Sequence, residues 1–374
     1  MRFVNVVSAA IYGSKRWKFL AVIVVIAIVK TGIWVIPTIP GYARMASDPF
    51  HYHPNLTYLP ENWLHTFIGW LVFARDWRSF AVLNLVLAFA FLAVMFTLFF
   101  RRLSDRSART ATLIFIAMPV STTAFYWLGL DSLTVLLMAL ALLVMRRWWL
   151  VVIVGFLLGM QHFEQGIASA LLLAGASGVG IIMRQRSWRS LVFPVVFGVG
   201  LVAGRGLLNL LYSLWHITID YDRIDYFRDN FLALVHQYFD YPFLIWFSIL
   251  GITWLAVVRF ALQGRKAIPM LVGIVVLALA TIIYSDHTRV ACILSLMLLV
   301  SEMLLDEEFL SSITSGEIVF FAVLWLIVPF VWVWGVVVQP SSISFDVQAV
   351  LHKLFGWFGV PRGDNFFSWP FIIP

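Results

Sequence analysis

The chain is poor in charge and almost without cysteine. Only 12% of its 374 residues are Asp, Glu, Lys or Arg, where soluble domains carry about a quarter. That excludes an ordinary soluble domain, and no stretch of domain size remains once the apolar runs are set aside. The single cysteine, Cys292, lies inside an apolar run, which excludes an intrachain disulfide and a cysteine metal site. No low-complexity segment and no convincing internal repeat breaks the pattern. What the chain does have is apolar surface. It is 62% hydrophobic and 16% aromatic, with a mean hydropathy of +0.93, the composition of a polytopic membrane protein.

A hydrocarbon core of about 30 Å needs roughly 20 apolar helical residues. About eleven segments approach that length: 19–37, 79–100, 110–128, 132–146, 148–161, 166–183, 190–213, 242–261, 267–284, 288–304 and 318–338. The fourth and fifth touch at Arg146-Arg147-Trp148-Trp149 and read either as two spans or as one broken helix. The expected fold class is all-α, a polytopic transmembrane helix bundle forming a single domain over 1–374. Lys15, Arg16 and Lys18 before FLAVIVVIAIV resemble a signal peptide. The apolar run nevertheless passes Lys30 into GIWVIP with no small-residue cleavage site, so we read a retained first span.

Basic residues crowd into one set of short loops, around Lys15–Lys18, Arg101–Arg109, Arg146–Arg147, Arg184–Arg189 and Arg259–Lys266. By the positive-inside rule this places the N-terminus in the cytoplasm and the C-terminus outside. The net charge of +7 is then a topology signal and not a nucleic-acid footprint. All eight histidines fall on the outer side of that topology. So do the long connections 38–78 and 214–241 and the 339–374 tail. Two outer stretches, 63–73 and the apolar face running from Val347 to Phe358, have the pattern of helices lying in the interface.

Candidate chemistry gathers in those outer connections. Asp48, His51 and His53 fall within PGYARMASDPFHYHPN, 40–55; an acid beside imidazoles supplies a general base or metal ligands, while Asp48-Pro49 equally starts a solvated turn. Asp131, Glu164 and Asp286 each begin a helix that re-enters the membrane, where an acid caps free N–H groups; His162 stands two residues before Glu164. In SDHTR, 285–289, Arg289 opposes the helix dipole. Either Asp286 pairs with it, or Arg289, His287 and the free N–H groups bind a phosphate. Arg205 and Lys30 are the charges inside spans, functional groups by default, although Lys30 lies near enough to the end to snorkel. Arg205 sits between Gly204 and Gly206 and reads as a second phosphate contact. Tyr221 and Asp222 belong to a stretch of acids and aromatic rings that suits carbohydrate. That stretch lacks the turn Gly and closing Glu of a calcium loop, so no metal site is expected.

An acid in the first outer loop, re-entering helices with polar tips, a cationic phosphate site and outer juxtamembrane helices together resemble the GT-C class of membrane glycosyltransferases. The resemblance implies a sugar donor linked to polyprenyl phosphate, a glycan or lipid-linked acceptor, and chemistry on the periplasmic face of a bacterial inner membrane. It also implies that Asp48 is the first-loop acid acting as base, with inversion, and that Arg289, beside His287, meets the donor phosphate. Lys30 and Arg205 join the donor-phosphate set. His51, His53, Asp131, His162, Glu164, Asp286, Tyr221 and Asp222 form the substrate-binding set. No cofactor is expected, and a divalent metal is not required. Many members of the class carry paired acids in that loop, where Asp48 is followed by Pro49. A polymerase or ligase using a diphosphate-linked donor, a flippase for lipid-linked glycans, and a membrane O-acyltransferase remain alternatives.

Overall fold

The computed structural model describes residues 2–33, 35–36, 38–51, 59–217, 223–240, 242–284, 286–334 and 337–341. The helix expected within the 339–374 tail lies outside them. In chain order the helices begin with α1 (Arg2–Gly13), α2 (Arg16–Thr31), α3 (Ile39–Ser47), α4 (Trp63–Leu71), α5 (Trp77–Arg102) and α6 (Asp105–Ala117). They continue with α7 (Pro119–Tyr126), α8 (Asp131–Leu143), α9 (Trp148–Ile182), α10 (Val192–Leu214), α11 (Arg223–Asp240) and α12 (Pro242–Leu250). The last five are α13 (Trp254–Ala261), α14 (Ile268–Ala280), α15 (His287–Leu299), α16 (Glu307–Ser312) and α17 (Ser315–Ile327). A small antiparallel hairpin, β1 (Phe330–Trp334) and β2 (Val337–Ser341), pairs Phe330 with Ser341 and Trp334 with Val337.

Among the described residues, six helices are long and apolar enough to cross a membrane by length and composition, with α9 counted once, and a seventh span forms if α6 and α7, bent by 53°, are taken as one. The chain is a helical membrane bundle. Its breaks have local causes. The turn between α6 and α7 precedes Pro119, which cannot donate to the preceding turn. Between α12 and α13 the chain turns at Gly251, whose φ of +56° suits a residue without Cβ. Segment 318–338 differs from the sequence reading: α17 stops at Ile327 and the chain continues as β1. Pro329 disfavours helix in the residue before it, and Val328 is extended. The Val and Trp residues beyond it prefer strand. The fourth and fifth expected segments form two separate helices, since α8 ends at Leu143 and α9 starts at Trp148.

Two compact units emerge, one drawn from 1–34, 96–126 and 232–372 (unit 1) and one from 35–95 and 127–231 (unit 2). In unit 1 the core helix is α15, which with the π-helical turn Val300–Leu304 is 89% buried over its apolar window. A helix apolar on every side belongs inside a bundle. Asp286 caps its start, accepting from Arg289 N at 3.3 Å. Asp306 caps α16 in the same way, and Thr314 with Glu317 forms a capping box for α17.

Unit 2 is organised around α9, which contains one non-helical residue, His162 (φ −159°, ψ 80°). A Cβ on Gly166 would lie 3.2 Å from Leu158, eight positions earlier. Eight residues of straight helix rise about 12 Å, so the chain folds back at His162 into two antiparallel arms. Both arms pack on α10. Gly155 and Gly159 in the first arm and Gly204 in α10 are the small residues that admit this approach. A Cβ on Gly155 would come within 2.6 Å of the Phe197 carbonyl, and one on Gly204 would overlap the Phe156 carbonyl. Ser177 in the second arm donates to the Ser190 carbonyl at 3.4 Å, which sets that arm antiparallel to α10.

Candidate functional site

The polar residues of unit 2 gather where α9 reverses. Gln161 has no exposure, and its amide ties three segments together. Its Oε1 accepts from His65 N at 3.0 Å, and its Nε2 donates to the Leu130 carbonyl at 3.1 Å. The His65 ring lies 3.3 Å from the same carbonyl through Nδ1 and stacks on Phe80. Burial drives the His65 imidazole down to about 4, with the Leu130 carbonyl and Asp131 pulling the other way. Beside this group His162 Nδ1 lies 3.3 Å from Glu164 Oε2. The two residues sit at the tip of the α9 hairpin, as the sequence placed them, although α9 loses only one residue of helix there.

Arg205 reaches the same region from α10. Its Nη2 is 3.6 Å from Oε1 of Glu61, and both side chains are largely buried. Arg205 Nη1, Asn62 Oδ1, Gln165 Oε1 and Ser169 Oγ are buried without a hydrogen-bond partner among the described residues. Native interiors rarely leave such groups unpaired, so each asks for a water or a ligand. Of the glycines flanking Arg205, Gly204 serves helix packing, while Gly206 faces open space.

Above Arg205, toward the end of α10, stand Tyr212 and Trp215, their rings 6.3 Å apart. Trp215 begins an aromatic wall. Phe50 meets it edge-on at 5.3 Å, and Trp63 lies 5.7 Å away, stacked in turn on Phe67 at 4.6 Å. Trp63 Nε1 donates to the Pro49 carbonyl at 2.9 Å, which pins the end of α3 to the start of α4. Asp48 is the C-cap residue of α3. His51 Nδ1 lies 2.7 Å from Asp48 Oδ2, with the two side chains 77% and 46% exposed. A solvent-reachable carboxylate–imidazole pair, an aromatic wall and a buried arginine thus belong to one unit. An accessible carboxylate can accept a proton, and an arginine with a spare N–H can hold an anionic oxygen.

Asp131, buried at the N-terminus of α8 next to Leu130, belongs to the same cluster as His65 and Gln161. Other expected site residues fall elsewhere. In unit 1, Arg289 Nε lies 2.5 Å from Asp286 Oδ2, so the negative group at this helix N-terminus is the protein's own carboxylate. His287 is fully buried, its Nδ1 3.1 Å from the Thr281 carbonyl and its ring edge-on to Tyr238. Its Nε2 is buried without a hydrogen-bond partner among the described residues. Lys30 does not snorkel to the surface. It is 8% exposed, donates to the Trp325 carbonyl and lies 5.8 Å over the Trp325 ring. It lines a small cleft of unit 1 with Thr122, Ser248 and Phe330. His53, Tyr221 and Asp222 lie outside the described residues. No group of three or more metal-ligating side chains occurs among the described residues.

Sequence reasoning missed Glu61, Gln161, Tyr212 and Trp215. The signal for Glu61 was the one used for Asp131, an acid immediately before an apolar helix, here in LPENW. Compared with protein-family models, with curated proteins and with solved structures, the chain finds no match in any of the three.

Proposed function

We propose that the chain is a membrane glycosyltransferase of GT-C type, transferring a sugar from a polyprenyl-phosphate donor to a glycan or lipid-linked acceptor. The observation that carries this reading is Arg205: a buried guanidinium with an unpartnered Nη1, below an aromatic wall that leads to an accessible acid. The sugar stacks against the wall. Asp48, oriented by His51, takes the proton of the acceptor hydroxyl as its oxygen bonds to the anomeric carbon. The bond from that carbon to the phosphate oxygen breaks with inversion, and the lipid phosphate leaves with its negative charge. Arg205 holds that charge, with Glu61 steadying the guanidinium. A fixed cation where charge develops is a large catalytic contribution. Glu61 also supplies, from the same 38–78 connection, a second acid besides Asp48. The donor-phosphate role is given to Arg205 in place of Arg289 because Arg205, although near Glu61, keeps a buried Nη1 without a hydrogen-bond partner among the described residues, whereas Arg289 Nε lies 2.5 Å from Asp286. By the positive-inside rule, the α9 hairpin tip faces away from the cytoplasm and the arginine-rich end faces it; a bacterial inner membrane with a periplasmic site fits that orientation.

Reconstituted protein, given a labelled polyprenyl-monophosphate sugar, is expected to transfer label to the acceptor. Asp48→Asn is expected to lower that rate by about a hundredfold or more with unchanged thermal unfolding. Equal transfer by the Asn variant removes Asp48 from the mechanism, and turnover only with a diphosphate-linked donor points to a polymerase or ligase. A second reading, transport of a lipid-linked glycan, draws on the broken helices and their buried polar groups, a feature of transporters. Movement of donor across vesicles without transfer chemistry favours it.

A further inference from the structure

The end of unit 2 opposite the His162 reversal carries a different chemistry. The two arms of α9 and the start of α10 finish there, because the arms are antiparallel and the second is joined to α10 by the short 183–191 connection. Arg146 and Arg147 precede the first arm; Arg184 and Arg189 follow the second, and all four are exposed. Interleaved with them are Trp148, Trp149 and Trp188, exposed by 66%, 51% and 69%. The segments 144–149 and 182–192 contain no Asp or Glu. None of these four arginines forms an ion pair among the described residues. The turn itself is fixed: Arg184 closes α9 with φ +58°, and a Cβ on Gly180 would press on the aliphatic stem of Arg186 at 2.8 Å.

We infer that this end is a binding surface for anionic phospholipid headgroups. Arginine meets phosphate with a two-pronged fork of donors. Tryptophan prefers the headgroup level of a bilayer, where one edge is apolar and the other wet. Each basic residue near an anionic leaflet adds to the attraction, and the attraction weakens with salt. Four exposed arginines without an ion pair among the described residues, at the ends of apolar helices and interleaved with exposed tryptophans, fit lipid phosphate better than a soluble partner.

The test is tryptophan quenching of the full chain in vesicles containing brominated phosphatidylglycerol or brominated phosphatidylcholine. The native chain is expected to bind the anionic lipid preferentially, and added salt to shrink the preference. Changing Arg146, Arg147, Arg184 and Arg189 together to Gln is expected to reduce that preference at least about tenfold. The same four changed to Lys retain most of it, which separates loss of charge from misfolding. Arg259→Gln with Lys266→Gln leaves it unchanged. Equal quenching by both lipids in the native chain overturns the inference. So does an undiminished preference in the Gln variant, or binding of a short RNA by this end in place of phosphatidylglycerol.

Discussion

Clusters of basic residues in the two units meet different surroundings. In unit 1 four of the cations are met by acids of the same unit. Arg16 and Arg109 share Asp105 at 3.0 and 2.7 Å, Arg259 meets Glu317 at 2.9 Å, and Lys266 lies between Asp306 and Glu308 at 2.7 and 2.9 Å. In unit 2, Arg146, Arg147, Arg184 and Arg189 form no ion pair among the described residues, while Arg205, far along α10, has an acid close by. The same sequence signal, Lys and Arg in short loops, therefore covers two physical situations. One is charge neutralised by the fold; the other is charge left for something outside it.

Changes that touch the buried pair should cost most. Replacing Arg205 with Met removes the cation from a largely buried carboxylate, and loss of one partner of such a pair costs about 3–5 kcal/mol. Thermal unfolding in detergent should show that loss, and adding Glu61→Gln should restore part of it. If Arg205→Met unfolds like the native chain, the pair is not a buried one in solution.

His65 gives the next effect. Its folded value of about 4 lies below its ordinary 6.5, so between those values the unfolded chain binds the proton and the fold does not. Stability is therefore full above about pH 6.5 and falls as the pH drops toward 4, by about 3 kcal/mol at most. His65→Asn should flatten that acid limb in a pH series of unfolding midpoints. An unchanged limb assigns the loss to other groups.

A Cβ on Gly166 would lie 2.5 Å from the Leu201 side chain, so Gly166→Ala should cost about 1–3 kcal/mol through overpacking where the arms meet α10. At the bottom of the scale stands the rim of unit 1. Arg259→Gln removes a half-exposed ion pair and should shift stability by about 0–1 kcal/mol. A larger shift would mean that the self-neutralised rim holds the fold together more than the contrast with unit 2 allows.

Much of the helical architecture was legible because apolar length is a composition property that survives any arrangement of the helices. The end of α17 was not, since the run 318–338 is apolar throughout and one residue, Pro329, decides where helix stops. The α9 region was read as two segments, 148–161 and 166–183, joined by a short polar connection; the structure narrows that connection to one non-helical residue, His162. The site was legible in part. Asp48, His162, Glu164 and Arg205 stood out as polar groups in apolar surroundings, and the structure places all four in unit 2. Arg289 stood out for the same reason, yet its neighbour Asp286 answers it, which spacing alone left open. Glu61 was hidden because its importance comes from Arg205, a residue far away in sequence; Tyr212, on the same helix as Arg205, was hidden among the apolar residues of that span.

The most direct test is a structure of the full chain with a bound polyprenyl-monophosphate sugar analogue. The account places the phosphate within hydrogen-bond reach of Arg205, with the sugar against Trp215 and Phe50. A phosphate held instead beside Arg289, or a chain that fails to bind the analogue at all, would contradict it.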